Sequence, residues 1–289
     1  MIKINFSYKY LLFLFALIAL ISFSEIGNSA PETVVNRNVA CATSIVVNTD
    51  CEAQPATQII TFHKVALCTA LPTEPTITSA TGLASCSTVF TNTSGAAVSV
   101  VKGEGVAPSG TFTDPPYGNY TFAYVEISPV LTYKANLVFA SPIKSSDGSG
   151  LGGVNCQTNG TTYNHFRAAD TGVDGLTCQT AAGVAENNIV TLNSLNPDAG
   201  TLFSGRFPGT NGNTDVYLIT STGALAASSA EVAKVIAFVP MTANITPDTT
   251  SYDLRYNNTR GLSVYYSSSD GALVAGVSVA YFDLTITVQ

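Results

Sequence analysis

Tryptophan is absent from these 289 residues, and histidine and methionine occur only twice each. Charge is scarce as well. Asp, Glu, Lys and Arg make up 11% of the chain, less than half the roughly 25% usual in soluble domains. Cations are the rarer sign, with 12 Lys and Arg against 19 acids and a net charge of -7. That shortage argues against a nucleic-acid binder, because neutralising phosphates takes clustered Lys and Arg. Apolar residues still reach 46%. The low charge therefore reflects Ser, Thr, Asn and Gly, and the composition is not the low-hydrophobicity, high-charge one of disordered chains.

Catalytic signatures are missing too. There is no Gly-x-Ser-x-Gly elbow, no His-Glu-x-x-His, no phosphate loop and no Gly-x-Gly-x-x-Gly opening a helix. His63 falls in a strand pattern and reads as structural. His165, in a long polar stretch, is the better functional candidate. The acids available to pair for glycoside hydrolysis, such as Glu104, Glu126, Asp170 and Asp174, sit in no motif. Glu126 lies on an apolar strand, where burial would raise its pKa.

What is present begins with a targeting signal. Met1 to Tyr10 carries Lys3 and Lys9 and no acid. Leu11 to Phe23 is a thirteen-residue run whose one polar member is Ser22, and Ser22-Phe23-Ser24 offers a small-x-small cleavage site. Together they read as a secretory signal peptide over residues 1–24. A spanning helix wants about 20 apolar residues, so membrane attachment is expected only through an uncleaved signal. The expected location is secreted, periplasmic or cell-surface. Without residues 1–24 the net charge becomes -9.

Six cysteines, Cys41, Cys51, Cys68, Cys86, Cys156 and Cys178, all lie beyond that signal. In an exported chain an even number reads as a disulfide framework. Fifteen pairings exist; the sequential one is favoured because each bond closes a short loop. No two cysteines have zinc-site spacing, and the histidines are a hundred residues apart.

The mature chain alternates β-branched and aromatic runs with Gly, Asn, Asp, Ser and Pro punctuation, which predicts strands joined by turns. Thr57 to Cys68 is a strand with Ile60, Phe62, Lys64 and Ala66 on one face. Cys86 to Thr91 and Ala97 to Val101 are expected to pair with each other around Thr93-Ser94-Gly95. Asn119 to Ile127 places Tyr120, Phe122 and Tyr124 on one face and Ala123, Val125 and Ile127 on the other, as in a central strand. Ser228 to Phe238 is either a helix or a turn followed by a strand from Lys234. Ala280 to Gln289 alternates strictly. The expected fold is all-β, an antiparallel sandwich of jelly-roll or immunoglobulin style with about ten to twelve strands. Its halves are 25–140 and 188–289. Residues 141–187 form a Ser/Gly/Asn-rich, loop-rich insertion stapled by Cys156–Cys178.

Two site patterns stand out. Tyr117 and Tyr120, near Pro115-Pro116, are candidates for a ligand-stacking platform, and His165 is a further ligand-binding candidate. Asn211, Asn213 and Asp215 alternate as calcium-loop ligands do. Weak calcium is the only cofactor expected. The function expected is that of an exported, non-enzymatic structural or adhesive surface protein: a filament, pilus, sheath or surface-layer subunit. Its partners would be copies of itself, other cell-surface proteins, or glycans. The alternatives are a secreted glycan- or ligand-binding module and a secreted hydrolase. Thr33 to Asn48 and Ala280 to Gln289 are candidate strands to lend to a neighbour.

Overall fold

The computed structural model describes residues 39–101, 107–146, 148, 152–164, 175–195, 202–209, 211–249, 252–269, 272–279 and 283–288. All belong to the unit Pro31–Gln289. The signal segment, Glu104, His165, Asp170 and Asp174 lie outside the described residues.

The described residues form an all-β protein with nineteen strands and one 3-10 turn, Ser229–Glu231. The first seven strands are β1 (Val39–Ala40), β2 (Cys51–Ala53), β3 (Thr57–Cys68), β4 (Cys86–Val101), β5 (Thr111–Phe112), β6 (Gly118–Ile127) and β7 (Val130–Lys134). The middle of the chain supplies β8 (Asn136–Ile143), β9 (Gly153–Thr158), β10 (Thr162–Asn164), β11 (Leu176–Gln179), β12 (Asn188–Thr191), β13 (Ser204–Gly209) and β14 (Gly212–Ile219). The last five are β15 (Lys234–Ile245), β16 (Tyr252–Asn257), β17 (Leu262–Ser269), β18 (Ala272–Val279) and β19 (Asp283–Val288).

The largest sheet has ten strands, in the order β10-β12-β7-β3-β6-β15-β14-β13, with β4 on the remaining edge of β3 and β5 on β4. Three smaller sheets are β1-β2-β17-β18, β11-β9-β8 and β16-β19. Nineteen strands exceed the number expected because β1, β2, β5, β10, β11 and β12 span two to four residues each, too short to show a period.

The large sheet turns on β3. β4 pairs with it along its length, from Thr57 opposite Val101 to Cys68 opposite Cys86. The other edge is shared: β7 faces Thr57–Ile59 and β6 faces Phe62–Cys68. β6 and β7 are therefore one line of chain interrupted at Ser128-Pro129. Pro129 has no N–H and cannot continue a ladder. The Ser128 N–H still reaches the Thr61 carbonyl at 2.8 Å, while the Pro129 carbonyl accepts from Leu192 at 2.8 Å. Beyond β6 the sheet runs on through β15, β14 and β13; beyond β7 it runs through β12 and β10.

At the same level β3 slips register between Phe62 and Lys64 against both neighbours. The slip corrects the expected face assignment. Ile60 and Phe62 share a core with Val65 and Leu67, whereas Ala66 and Cys68 face the opposite side. Opposite the slip, Ala96 pairs with Phe62 and Thr91 with Lys64, so Asn92–Gly95 bulges out. The two runs flanking it were expected to pair with each other; instead each pairs with half of β3. Gly95 has φ 85°, and a Cβ there would lie 2.5 Å from Thr61 Cγ2. A second slip, between Pro240 and Ala243 in the β15–β6 pair, puts Tyr120 in the larger core while Phe122 and Tyr124 pack on the smaller one.

The larger core joins three sheets: Val65, Val125 and Val235 meet Leu137 and Cys156 and also Leu262, Ala275 and Val277. Each fully buried Leu, Val or Phe contributes about 1.5–3 kcal/mol to it. A buried polar hub ties β7 and β10 to β18, since the hydroxyls of Tyr133 and Tyr163 each donate to the Val277 carbonyl at 2.9 Å. Asn188, fully buried, donates to Tyr133 Oη and the Gly175 carbonyl and accepts from Gly160 and Thr161. The smaller core lies on the other face of the large sheet, around Tyr124, Tyr217, Ile236 and Phe238. Segment 69–85 covers it from above and is linked to Ala224 and Leu225 through Ala80 and Thr76.

The disulfides are Cys41–Cys51, Cys68–Cys86 and Cys156–Cys178, the sequential pairing. Cys68 and Cys86 are register partners of β3 and β4, and Cys156 and Cys178 of β9 and β11. Residues 141–187 thus carry the end of β8 and the strands β9, β10 and β11 between loops. The helical alternative for Ser228 to Phe238 gives way to a 3-10 turn and β15. Much of the first candidate lent strand is used within its own body, because Cys41 is bonded to Cys51 and Ile45 is buried and bridged to Phe139. The second pairs as β19 with β16. Replacing Cys68 and Cys86 together by Ala is expected to cost about 3 kcal/mol of stability by freeing an 18-residue loop in the unfolded chain, read as a lower denaturant midpoint.

Candidate functional site

The face of the large sheet that carries the smaller core has an apolar centre and two charged ends. Alternation along the strands puts Lys64, Ala66 and Cys68 of β3 on this face. Tyr124 and Glu126 of β6, Ile236 and Phe238 of β15, and Asp215, Tyr217 and Ile219 of β14 share it. The Tyr217 and Phe238 rings stand 5.1 Å apart, and those of Tyr124 and Phe238 6.2 Å.

At one end Glu126 is buried between two donors. Tyr124 Oη donates to its Oε2 at 2.8 Å and Lys234 Nζ to its Oε1 at 2.5 Å. Burial alone would raise the Glu126 pKa. The Lys234 hydrogen bond, the Tyr124 hydroxyl and the charge of Lys64 outweigh it, and the carboxyl sits below its ordinary value. The sequence anticipated a raised value because it revealed the burial and hid Lys234, which lies 108 residues away. Burial and the Glu126 charge push the Tyr124 hydroxyl up.

At the other end Arg206 on β13 grips Asp215 on β14 with a fork, Nε to Oδ1 at 2.5 Å and Nη2 to Oδ2 at 2.9 Å. Glu74 comes down from the covering segment to face Tyr217, Asp215 and Arg206. Burial raises its pKa and Asp215 adds to the rise; Tyr217 and Arg206 oppose it without reversing it. Glu74 therefore holds its proton to higher pH than an ordinary glutamate. Chemically this end is an Arg206–Asp215 pair beside a Glu whose pKa is raised, under a disulfide-closed loop.

The residues singled out in the sequence do not gather into one site. Tyr117 is 71% exposed, whereas Tyr120 is 3% exposed and its hydroxyl donates to the Pro116 carbonyl at 2.7 Å. The pair is thus no shared platform. Asn211 and Asn213 are exposed at the tip of the β13–β14 hairpin, where Gly209 pairs with Gly212 and Pro208 with Asn213. Both oxygens of Asp215 are taken by Arg206, which leaves that triplet without its one charged ligand. Among the described residues no three His, Cys, Asp or Glu side chains converge. Arg206, Glu74, Tyr217 and Lys234 went unnoticed in the sequence. Arg206 was within reach: it lies three residues before Gly209 as Asp215 lies three after Gly212, so pairing outward from the hairpin would have matched them.

No protein-family model matches this chain, and neither the curated proteins nor the solved structures compared with it gave a match.

Two outcomes follow from the electrostatics. Lys234→Met strands the Glu126 charge and should cost about 2 kcal/mol at neutral pH, the buried-pair penalty reduced for Lys234's partial exposure. Because the Glu126 pKa is depressed in the fold, the contribution is present above the unfolded carboxylate pKa and is lost as pH falls through the folded one. Melting temperatures of wild type and variant should therefore converge in acid. Glu74→Gln should act oppositely. A raised carboxyl pKa penalises the fold above that pKa, so the variant melts higher than wild type at neutral pH and loses the advantage as pH drops.

Proposed function

We propose that the chain is an exported, non-enzymatic structural or adhesive protein of a cell surface, a subunit of a filament, pilus, sheath or surface layer. The observation that carries this reading is the use of all six cysteines in disulfides between neighbouring segments of an all-β body. Such bonds persist in oxidising surroundings outside the cytosol. The secretory signal read in residues 1–24 agrees with that compartment. The acids buried on the large sheet also support it. Glu126 and Asp215 are engaged by Lys234 and Arg206, the use expected of structural carboxylates.

A second reading, a secreted glycan-binding module, draws on one feature. Phe112 is 55% exposed and Tyr117 71%, both in the stretch from Thr111 to Gly118, and exposed aromatic rings stack on sugar faces.

Fractionating producing cells and sizing the released surface material separates the two. Negative-stain images of a high-mass fraction containing this chain should show regular fibres or sheets. A clean monomer of about 27–28 kDa, the mass left after signal removal, overturns the subunit reading and favours glycan-array binding that Tyr117→Ala abolishes.

A further inference from the structure

Strand β4 changes its neighbours halfway along. At Phe90 and Thr91 it is flanked by β3 and by β5. From Ala96 to Val101 it pairs with Phe62–Thr57 of β3 on one side, and among the described residues no strand pairs with its other side. This open edge reads Ala-Ala-Val-Ser-Val-Val, and no charged residue or proline occurs between Ser87 and Val101. Its side chains alternate cleanly: Ala96, Val98 and Val100 are buried, and Ala97, Ser99 and Val101 are exposed.

Native sheets blunt their edges with Lys, Pro, bulges or short strands, because an unprotected edge templates pairing with another chain. Other edges of the large sheet carry such devices. β13 has Arg206 and Pro208, β5 spans two residues and β10 three. Ala96–Val101 has none of them over six residues.

We propose that this edge pairs antiparallel with the same edge of a second copy of the chain. The alternation admits only registers that keep parity, and of those the one centred on Ser99 sets the most valines opposite valines. With Ser99 on the two-fold axis, Val98 faces Val100 of the copy and Ala97 faces Val101. Residues of equal parity stay opposite, so buried side chains meet buried ones and exposed meet exposed. A register shifted by one would set buried against exposed. Cross-strand valine pairs favour β pairing, and the stretch is neutral, so a mature chain of net charge -9 meets its copy where repulsion is least. An edge joined to itself is isologous and closes as a dimer. This inference stands apart from the surface-subunit reading, since a dimer through β4 can form whether or not the protein builds a larger array.

The test uses the mature chain and the variants Ser99→Lys and Ser99→Glu. Ser99 is exposed on its own sheet, so at concentrations dilute enough to keep wild type monomeric both should melt like it, yet on the axis each places two like charges directly opposite. Sedimentation of wild type through a concentration series should show a monomer–dimer equilibrium, and amides within 96–101 should exchange more slowly as concentration rises. Each variant alone should lose the dimer, and an equimolar mixture of the two should regain it as a heterodimer. A wild type that stays monomeric throughout, variants that dimerise as wild type does, or a mixture that stays monomeric would each overturn the proposal. The surface-subunit reading is judged separately by cell fractionation, so failure of one is distinguishable from failure of the other.

Discussion

A single missing donor organises this protein. Pro129 cannot extend the ladder that β6 builds along β3, so the chain breaks line there and resumes as β7 on the same edge. The interruption is matched across the sheet by the slip in β3 after Phe62 and by the four-residue bulge of β4. Three adjacent strands thus lose register at one level, and the sheet divides into an arm through β15, β14 and β13 and an arm through β12 and β10. A bulge that reverses side-chain parity is costly in an isolated strand, because half the apolar residues would turn to water. Here the half of β3 beyond the slip is covered on both faces, so the reversal keeps Val65 and Leu67 in the larger core and turns Ala66 and Cys68 into the smaller one.

The scarcity of charge has its own structural counterpart. Few ions are available, and those on the smaller-core face stand at its two ends. Lys64, Glu126 and Lys234 mark one end, and Arg206, Asp215 and Glu74 the other, with Tyr124, Tyr217 and Phe238 between. Buried ion pairs contribute little net stability over apolar replacements, but removing one partner is expensive. Their value here is positional. Each pair joins two strands, β6 with β15 and β13 with β14, and opposes slippage in a sheet already slipped elsewhere. Glu74 is the exception, lacking a fork such as Asp215 has, and burial leaves it proton-retaining.

The all-β class, the sequential disulfides and many strand positions could be read in the sequence because they rest on local signals: β-branched runs, turn residues and cysteine spacing. β3 falls on Thr57–Cys68, where the pattern placed it. What failed was anything requiring a partner's identity. Strict alternation assigned Ile60 and Val65 to opposite faces and Tyr120 with Tyr124, since a bulge leaves no mark in composition. Cys86–Thr91 and Ala97–Val101 looked like a hairpin because Thr-Ser-Gly is good turn chemistry; β3, long enough to pair both, turned the same residues into a bulge. Glu126 was recognised as an acid on an apolar strand, but the sign of its shift depended on a lysine far along the chain.

The disulfides fall where such non-local assembly is weakest. β1, β2 and β11 span two to four residues, too few to hold a pair in register by side-chain packing alone. Cys41–Cys51 and Cys156–Cys178 sit at these strands, and Cys68–Cys86 closes the base of the segment that caps the smaller core. A long strand such as β3 gains register from its own twelve residues and carries its bond only at the end. Covalent bonds therefore stand in for strand length, and the short strands depend on a compartment that keeps them oxidised.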